Sequence, residues 1–244
     1  MPVPELRLLT GGETPLLVAE GLTVRIGDHP VLEGLDFTLP PSGLTVLLGP
    51  NGAGKSVLLR TLQGLLAPVA GRLCWRDGDP PRRALVFQRP VALRRRVRAQ
   101  LAFALSCAGI PRRARPARIA ELLELCDLAP LARRPARRLS GGEQQRLAIA
   151  TALALDPGFL MLDEPTASLD PAATLAVERL LARIRRRGIP LLLVTHDVHQ
   201  ARRLADRVLF LHRGRLREEA PATRFFTAPA SPQARAYLEG RLLP

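Results

Sequence analysis

Eight consecutive residues have the types and the spacing of a loop that holds phosphate groups. Residues 49–56 read GPNGAGKS and fit the pattern GxxxxGK[ST]. They stand between a strand-like apolar run, LTVLLG, and a segment with helical spacing of apolar residues, SVLLRTLQGLL. A chance glycine turn is the alternative, but chance gives this pattern in about one chain in a hundred, before that context is required. The loop residues are Gly49, Pro50, Asn51, Gly52, Ala53, Gly54, Lys55 and Ser56.

The basic residue of this loop differs from all the others in the chain. Lys55 is the single lysine, and the other 35 of the 36 basic side chains are arginines. An ammonium is a compact point charge, whereas a guanidinium is a wide planar fork, so a narrow loop around β- and γ-phosphate oxygens has room only for lysine. The glycines let backbone N–H groups face the phosphates, and the helix N-terminus adds positive charge. With Ser56 offering a hydroxyl to Mg²⁺, the loop predicts a nucleoside triphosphate site.

A second element with chemical potential is a pair of carboxylates after a buried-strand run. Residues 159–164 read FLMLDE, so Asp163 and Glu164 come at the end of the run. Taken alone, the pair would indicate an ordinary solvated turn. With a phosphate loop upstream, Asp163 is expected in the Mg²⁺ shell, and Glu164 is expected to polarise a water for in-line attack on the γ-phosphate.

Between these two elements, residues 139–145 read LSGGEQQ. With this motif the chain resembles the ATP-binding-cassette ATPases, over residues 16–214. The resemblance implies an α/β fold with a P-loop NTPase (RecA-like) core, an N-terminal antiparallel β subdomain and an inserted α-helical subdomain. It also implies that Ser140, Gly141 and Gly142 bind the γ-phosphate of ATP held by a second copy. The residue types agree with this role, because a hydroxyl, glycine backbone without side chains and a helix N-terminus suit an anion. Glu143 also permits a capping box.

The resemblance carries three further roles onto matching positions. Gln88, which ends the strand-like run ALVFQ, matches the Q-loop residue that contacts Mg²⁺ and water and relays to the transport partner. Residues 167–170, ASLD, match the D-loop that crosses the dimer interface, although they also suit an N-cap before Pro171. His196, after PLLLVT, matches the histidine that holds the γ-phosphate and orients Glu164.

One position departs from the family pattern. The family usually places an aromatic residue near the first strand to stack on adenine. The aligned residue here is Ile26, within LTVRIGDHPVL. An isoleucine covers a ring face by dispersion only, so we expect Ile26→Tyr to tighten ATP binding.

The elements that must position these residues alternate along the chain. Strand-like runs and helical segments predict a parallel sheet covered by helices, interrupted by a helical block rich in arginine and proline. We predict one cassette domain over 1–244, with a core at 16–92 and 156–220, a helical subdomain at 93–155, and a short tail at 221–244. The prolines of the tail predict that it is only partly ordered.

The composition limits the classes of protein to which the chain can belong. The formal net charge of +14 indicates either an anionic partner or arginines spread over solvated faces. The three cysteines form no metal-ligand pattern and are expected to be buried free thiols in a reducing compartment. The N-terminus shows no secretory signal, and the longest apolar runs are too short to span a bilayer. These features predict a soluble cytoplasmic protein, and the resemblance implies that it sits peripherally on the cytoplasmic side of the inner membrane.

Three functions fit these residues. The first is the ATP-hydrolysing subunit of an importer that works with a separate permease and, indirectly, a substrate-binding protein. Residues 88–98, QRPVALRRRVR, lie where the family docks a cytoplasmic permease helix, and they mix apolar and basic side chains as interfaces do. The second is a nucleic-acid-associated cassette, disfavoured because aromatic residues are 4% and no zinc or coiled-coil insertion is present. The third is a cassette without turnover, disfavoured by Lys55, Glu164 and His196.

The transported solute is the least constrained property. The segment VFQRPVALRRRV and the compact C-terminus resemble the ATP-binding subunits of tungstate importers, and more loosely those for molybdate and phosphate. Amino-acid importers remain an alternative. The resemblance implies a mechanism in which two copies close head to tail around two ATP–Mg²⁺, and closure reorients the permease.

Overall fold

A computed structural model describes residues 13–241, which divide into two compact units. One unit combines the described residues up to Pro81 with those from Pro190 onward, and the other is Arg82–Ile189. The predicted absence of an N-terminal signal concerns residues that lie outside the described range. The boundaries predicted for the helical subdomain and the core remain predictions.

The first unit begins with a three-stranded antiparallel sheet. Its strands are β1 (Leu17–Ile26), β2 (His29–Leu39) and β4 (Ala70–Trp75), in the order β2-β1-β4. A two-residue turn of Gly27 and Asp28 connects β1 to β2, and Gly27 supplies the positive φ that such a turn needs. The predicted N-terminal antiparallel subdomain is confirmed.

The same unit contains the parallel strands that lead to the phosphate loop. Strand β3 (Leu44–Leu48) lies between β7 (Leu191–Thr195) and β8 (Arg207–His212), parallel to both. Every residue of β3 and β7 is buried, as expected for strands covered on both faces. Strand β9 (Arg215–Pro221) then pairs antiparallel with β8. The carboxyl ends of β3 and β7 therefore lie side by side, and they carry the loop and His196.

Four helices belong to this unit: α1 (Lys55–Gln63), α6 (Val198–Leu204), α7 (Ala222–Thr227) and α8 (Pro232–Leu238). Helix α1 buries Leu58, Leu59 and Leu62, in agreement with the predicted apolar spacing. It ends earlier than the apolar pattern does, because Gly64 takes the left-handed conformation and its N–H bonds to carbonyls of the last turn.

The second unit holds two parallel strands and four helices. Strand β5 (Arg83–Val86) pairs with β6 (Phe159–Asp163). The helices are α2 (Val97–Cys107), α3 (Arg115–Leu125), α4 (Gly141–Leu153) and α5 (Pro171–Arg186). Ion pairs join the end of α5 to the α3 region: Arg183 on α5 bonds to Asp127, and Arg187, just after α5, bonds to Glu121. The hydrogen bond from Arg183 holds the pKa of the Asp127 carboxyl below its ordinary value.

Three expectations are corrected. The tail predicted to be partly ordered forms α7 and α8, so that prediction is wrong for its residues 221–241; residues 242–244 lie outside the described range. Gln88 does not end a strand, because β5 stops at Val86. The thiols are free, but only Cys126 is buried, while Cys107 is exposed. Across residues 13–241, no helix combines the length and the apolar character needed to cross a membrane.

Candidate functional site

The loop after β3 is shaped by close approach to the neighbouring strand. A Cβ atom on Gly49 would lie 2.1 Å from the carbonyl oxygen of Leu211 on β8, so no other residue fits there. The far side of the loop is also held, since Gly214 N–H donates to the Ala53 carbonyl at 3.1 Å. The loop therefore packs closely against β8 and against the turn between β8 and β9.

Lys55 is enclosed by the loop that it follows. The residue is only 6% exposed, and its Nζ donates to the carbonyls of Gly49 at 2.7 Å and Pro50 at 2.9 Å. These two bonds place a buried ammonium at the first turn of α1. The Gly54 N-cap of α1 provides no side-chain cap, and no acidic residue occupies the first turn. The positive charge of Lys55 and the dipole of α1 therefore act at the same place, and together they suit negatively charged phosphate oxygens.

His196 lies just beyond β7, with an exposed side chain. Its backbone is fixed on one side by Asp197, whose N–H donates to Thr195 Oγ1 and whose carboxylate caps α6 by accepting from His199 N–H and Gln200 N–H. Its carbonyl accepts a hydrogen bond from Tyr237 Oη at 3.0 Å. The same hydroxyl lies 3.4 Å from the Gly49 carbonyl. Sequence analysis did not identify Tyr237, which lies 188 residues beyond Gly49.

In the second unit, Glu164 sits on a strained turn after β6. Its φ is +44°, a conformation that non-glycine residues rarely adopt, and Ser168 has a φ of +67° in the same segment. The carbonyl of Glu164 accepts from Ala167 N–H at 3.1 Å, which closes the turn. Gln88 Nε2 donates to Glu164 Oε2 at 3.4 Å, a long hydrogen bond. The structure thus brings together the predicted base and the predicted Q-loop residue, and half-buried Asp163 directly precedes Glu164 in the chain.

The segment around Ser140 forms the expected capping box. Glu143 N–H donates to Ser140 Oγ at 3.4 Å, and Ser140 N–H donates to the Glu143 carboxylate at 2.7 Å. The box fixes the start of α4 with Gly141 and Gly142 in its first turn. A Cβ on Gly142 would lie 2.6 Å from Ala173 Cβ on α5. Glycine therefore allows α4 to approach the start of α5, which Asp170 caps by accepting from Ala173 N–H at 2.8 Å.

Arginines line a groove of about 340 Å³ in the second unit, which we call the arginine groove. Two segments form it, and they are tied by backbone hydrogen bonds from Ala136 N–H to the Arg95 carbonyl and from Val97 N–H to the Arg134 carbonyl. The guanidinium of Arg95 lies 4.5 Å from the centre of the exposed Phe103 ring. The groove is lined by Leu93, Arg94, Arg95, Arg96, Pro135, Arg137 and Arg138.

The donor set fits ATP with Mg²⁺ better than a dedicated metal cage. Among residues 13–241 there is no group of three or more His, Cys, Asp or Glu side chains that could hold a metal ion. Mg²⁺ commonly uses one or two protein oxygens and takes the rest from phosphates and water. Ser56, exposed directly after the buried Lys55 in the first unit, and Asp163, half-buried in the second unit, are each of a residue type that supplies such an oxygen. Ile26 ends β1 and is 49% exposed, so its side chain is accessible to a ligand.

Residues 32–167 match the family described as ABC transporter. The chain is similar to a phosphate import ATP-binding protein of Natronomonas pharaonis, with 36% identity over 96% of this chain and 90% of that protein. It is also similar to a nickel import ATP-binding protein of Rhodobacter capsulatus, with 39% identity over 86% of this chain and 90% of that protein. Among solved structures, it resembles cbiO1 from Clostridium perfringens, part of the ABC transporter complex cbiONQ. That match has a TM-score of 0.82 and 27% identity, and covers 93% of this chain and 96% of the other. The predicted α/β fold of a P-loop NTPase is confirmed.

Proposed function

The chain belongs to the ABC transporter family, and from that premise we propose that it is the ATP-hydrolysing motor subunit of an importer. The observation that carries this proposal is the enclosed Lys55, whose ammonium is held by the Gly49 and Pro50 carbonyls at the start of α1. A buried cation at a helix N-terminus suits an anionic ligand of matching shape, and a triphosphate provides one.

The proposed division of roles follows the chemistry of each side chain. The loop from Gly49 to Ser56 holds the phosphates, and Ser56, Asp163 and Gln88 provide oxygen ligands for Mg²⁺. When bound, Mg²⁺ neutralises charge that develops on the phosphate oxygens. Glu164 orients and deprotonates the attacking water, with Gln88 as its neighbour at 3.4 Å. His196 holds the γ-phosphate side of the site and orients Glu164.

A second copy of the chain completes the site in this proposal. Ser140, Gly141 and Gly142 form a capped helix start whose serine hydroxyl and first-turn N–H groups suit the γ-phosphate held by the other copy. The exposed position of Ser140 supports this role. Closure of the two copies around ATP is the step that would reorient the permease. ATP hydrolysis would then release the closed state.

The arginine groove supports a separate permease as the transport partner. Its lining contains Arg94, Arg95 and Arg96 and no carboxylate. A cytoplasmic permease segment that carries acidic and apolar side chains complements this surface. The chain would then sit peripherally on the cytoplasmic side of the inner membrane, with a substrate-binding protein acting only through the permease.

For the solute we propose an oxyanion, with tungstate first and molybdate or phosphate as alternatives. The similarity to a phosphate import protein at 36% identity supports the oxyanion class. The nickel import protein has a comparable 39% identity, so overall identity does not discriminate between solutes. Amino-acid import remains the alternative outside inorganic ions.

The test is reconstitution of the chain with its permease in vesicles, followed by ATP hydrolysis and uptake of labelled solute. We expect hydrolysis that depends on the permease and is stimulated by a binding protein loaded with tungstate, and less by one loaded with nickel or methionine. A matched preparation with Lys55→Ala should lack both activities. Absence of hydrolysis in the complete wild-type assembly would contradict the motor role, and stimulation by nickel or methionine alone would contradict the oxyanion assignment.

A further inference from the structure

Tyr237 connects the last helix to two backbone positions of the candidate site. It is the single tyrosine of the chain and lies on α8. Its hydroxyl lies 3.0 Å from the His196 carbonyl and 3.4 Å from the Gly49 carbonyl. One of these carbonyls belongs to the residue that starts the phosphate loop, and the other to the histidine at the end of β7.

The position of this hydroxyl is set by packing. The Tyr237 ring lies 5.3 Å from the Phe210 ring, centre to centre, and Phe210 is fully buried on β8. Ser231 caps α8 by accepting from Ala234 N–H at 3.0 Å. The segment before α8 is tied to β9, because Ala230 N–H and Ser231 N–H both donate to the carboxylate of Glu218, a residue that is only 8% exposed. Helix α8 is therefore anchored to strands of its own unit, and it carries Tyr237 with it.

The number of protons and lone pairs available limits the hydrogen bonds that the Tyr237 hydroxyl can make. A phenol has one proton to donate, and the shorter contact is to the His196 carbonyl. The Gly49 carbonyl already accepts from Lys55 Nζ at 2.7 Å. A carbonyl oxygen has two lone pairs, so it can accept from Lys55 and share the Tyr237 proton as well. The hydroxyl thus lies between the backbone that positions Lys55 and the backbone that positions His196.

We propose that Tyr237 is a positioning residue that holds the His196 backbone against the start of the phosphate loop. Helix α8 thereby fixes His196 for turnover, a role that rests on the proposed ATPase function. Lys55 keeps its own two carbonyl partners without the phenol, so nucleotide binding depends little on Tyr237. Turnover depends on it, because His196 acts in that step.

The first experiment separates binding from turnover. Tyr237→Phe removes the hydroxyl and keeps the ring against Phe210. We expect kcat for ATP to fall about three- to tenfold, the loss that corresponds to one neutral hydrogen bond. The equilibrium dissociation constant for ATP–Mg²⁺ should change less than about twofold, since the contacts of Lys55 remain. A matched control, Thr227→Val, removes a hydroxyl that donates to the Thr223 carbonyl on α7 and should leave both constants unchanged.

The second experiment needs no nucleotide. Amide hydrogen exchange of the nucleotide-free chain should quicken at residues 196–200 and 49–53 in Tyr237→Phe, while the rest of the unit and the unfolding temperature stay as in the wild type. Uniformly faster exchange with a lower unfolding temperature would overturn the proposal in favour of a purely structural role. Unchanged exchange and unchanged kcat would also overturn it. If the wild-type assembly hydrolyses no ATP, the motor proposal fails while the exchange result still decides whether Tyr237 holds His196.

Discussion

Gln88 Nε2 lies 3.4 Å from Glu164 Oε2, so the amide of one predicted site residue contacts the carboxylate of another. The turn that carries Glu164 has a φ of +44°, and such strain at a polar position is typical of a functional residue held for chemistry. Both features agree with the proposed role of Glu164 in handling the attacking water.

The change Glu164→Gln should separate nucleotide binding from hydrolysis. The amide keeps the shape of the side chain but cannot accept a proton, so we expect turnover to fall by at least about a hundredfold. ATP affinity should remain, and an ATP-bound dimer should accumulate. Steady-state hydrolysis and size-exclusion chromatography with ATP–Mg²⁺ measure these effects. The exposed Glu124, changed to glutamine on α3, is the control. Normal turnover in Glu164→Gln would remove Glu164 as the base.

The single lysine should not be replaceable by arginine. Two carbonyls lie 2.7 and 2.9 Å from Lys55 Nζ, and the residue is buried, so a planar guanidinium has no room there. We expect Lys55→Arg to weaken ATP–Mg²⁺ binding by at least about tenfold, the loss of one charge-assisted hydrogen bond. Lys55→Ala should cripple both binding and hydrolysis. Calorimetric titration measures the binding, and the reverse exchange Arg60→Lys on exposed α1 surface should have no effect. Wild-type affinity in Lys55→Arg would contradict the steric argument.

The contact between α4 and α5 predicts a stability effect at Gly142. A Cβ there would lie 2.6 Å from Ala173 Cβ, so we expect Gly142→Ala to lower the free energy of unfolding by about 1–3 kcal/mol through overpacking. Ala173→Gly in the same chain should recover part of that loss, although a glycine within a helix costs ~1 kcal/mol itself. Urea unfolding of the two single variants and the double variant gives the coupling energy. Gly141→Ala, with Leu169 Cδ2 at 3.3 Å, should have the smaller effect because a leucine tip can move. Additive effects of Gly142→Ala and Ala173→Gly would disprove the contact.

Local patterns explain why the phosphate loop and the capped start of α4 were predictable. The phosphate loop and the capping box at Ser140 each consist of fewer than ten consecutive residues, because their hydrogen bonds join near neighbours in the chain. The start of α8 could also be predicted, because Ser231 is a typical N-cap residue and Pro232 is a typical residue of the first helical turn. The proline content of the tail concealed that signal.

Long-range contacts explain what was missed. Tyr237 reaches Gly49 only because α8 packs on Phe210, and no residue spacing reports such packing. Strand β9 was missed because it reads RLREEAP, with few residues typical of strands. Its turn uses Arg213 and Gly214, both with positive φ, where an asparagine would have indicated a hairpin.

An aromatic side chain at position 26 should improve nucleotide binding. Ile26 is 49% exposed at the end of β1, so a larger ring can be accommodated without displacing core residues. Stacking of a base on an aromatic ring contributes ~1–3 kcal/mol, so Ile26→Tyr should tighten ATP binding about fivefold or more. Fluorescence titration with ATP and with triphosphate lacking a base separates stacking from phosphate contacts. Ile26→Val should bind ATP as the wild type does. Equal affinity for ATP in Ile26→Tyr would show that Ile26 does not face the adenine.

His212, at the end of β8, should make folding sensitive to acid. It is only 7% exposed, and its Nδ1 has no hydrogen-bond partner within residues 13–241. Burial lowers the pKa of His212 below its ordinary value, and the charges of Arg213 and Arg217 lower it further. The folded state therefore favours the neutral ring. The resulting stability is complete above the unfolded pKa of about 6.5 and is lost as the pH falls from there toward the folded pKa.

The measurement is the free energy of unfolding in urea at pH 7.5 and at pH 5.5, for the wild type and for His212→Gln. We expect the wild type to lose more stability than His212→Gln over this interval, by at most about 1.4 kcal/mol per pH unit, the slope for one proton. His29→Gln, at an exposed position on β2, should follow the wild type. The comparison isolates His212 from the carboxylates, because those titrate equally in every variant. Parallel pH profiles for the wild type and His212→Gln would mean that the ring is protonated as readily in the folded chain as in the unfolded one, and burial would then not control its charge.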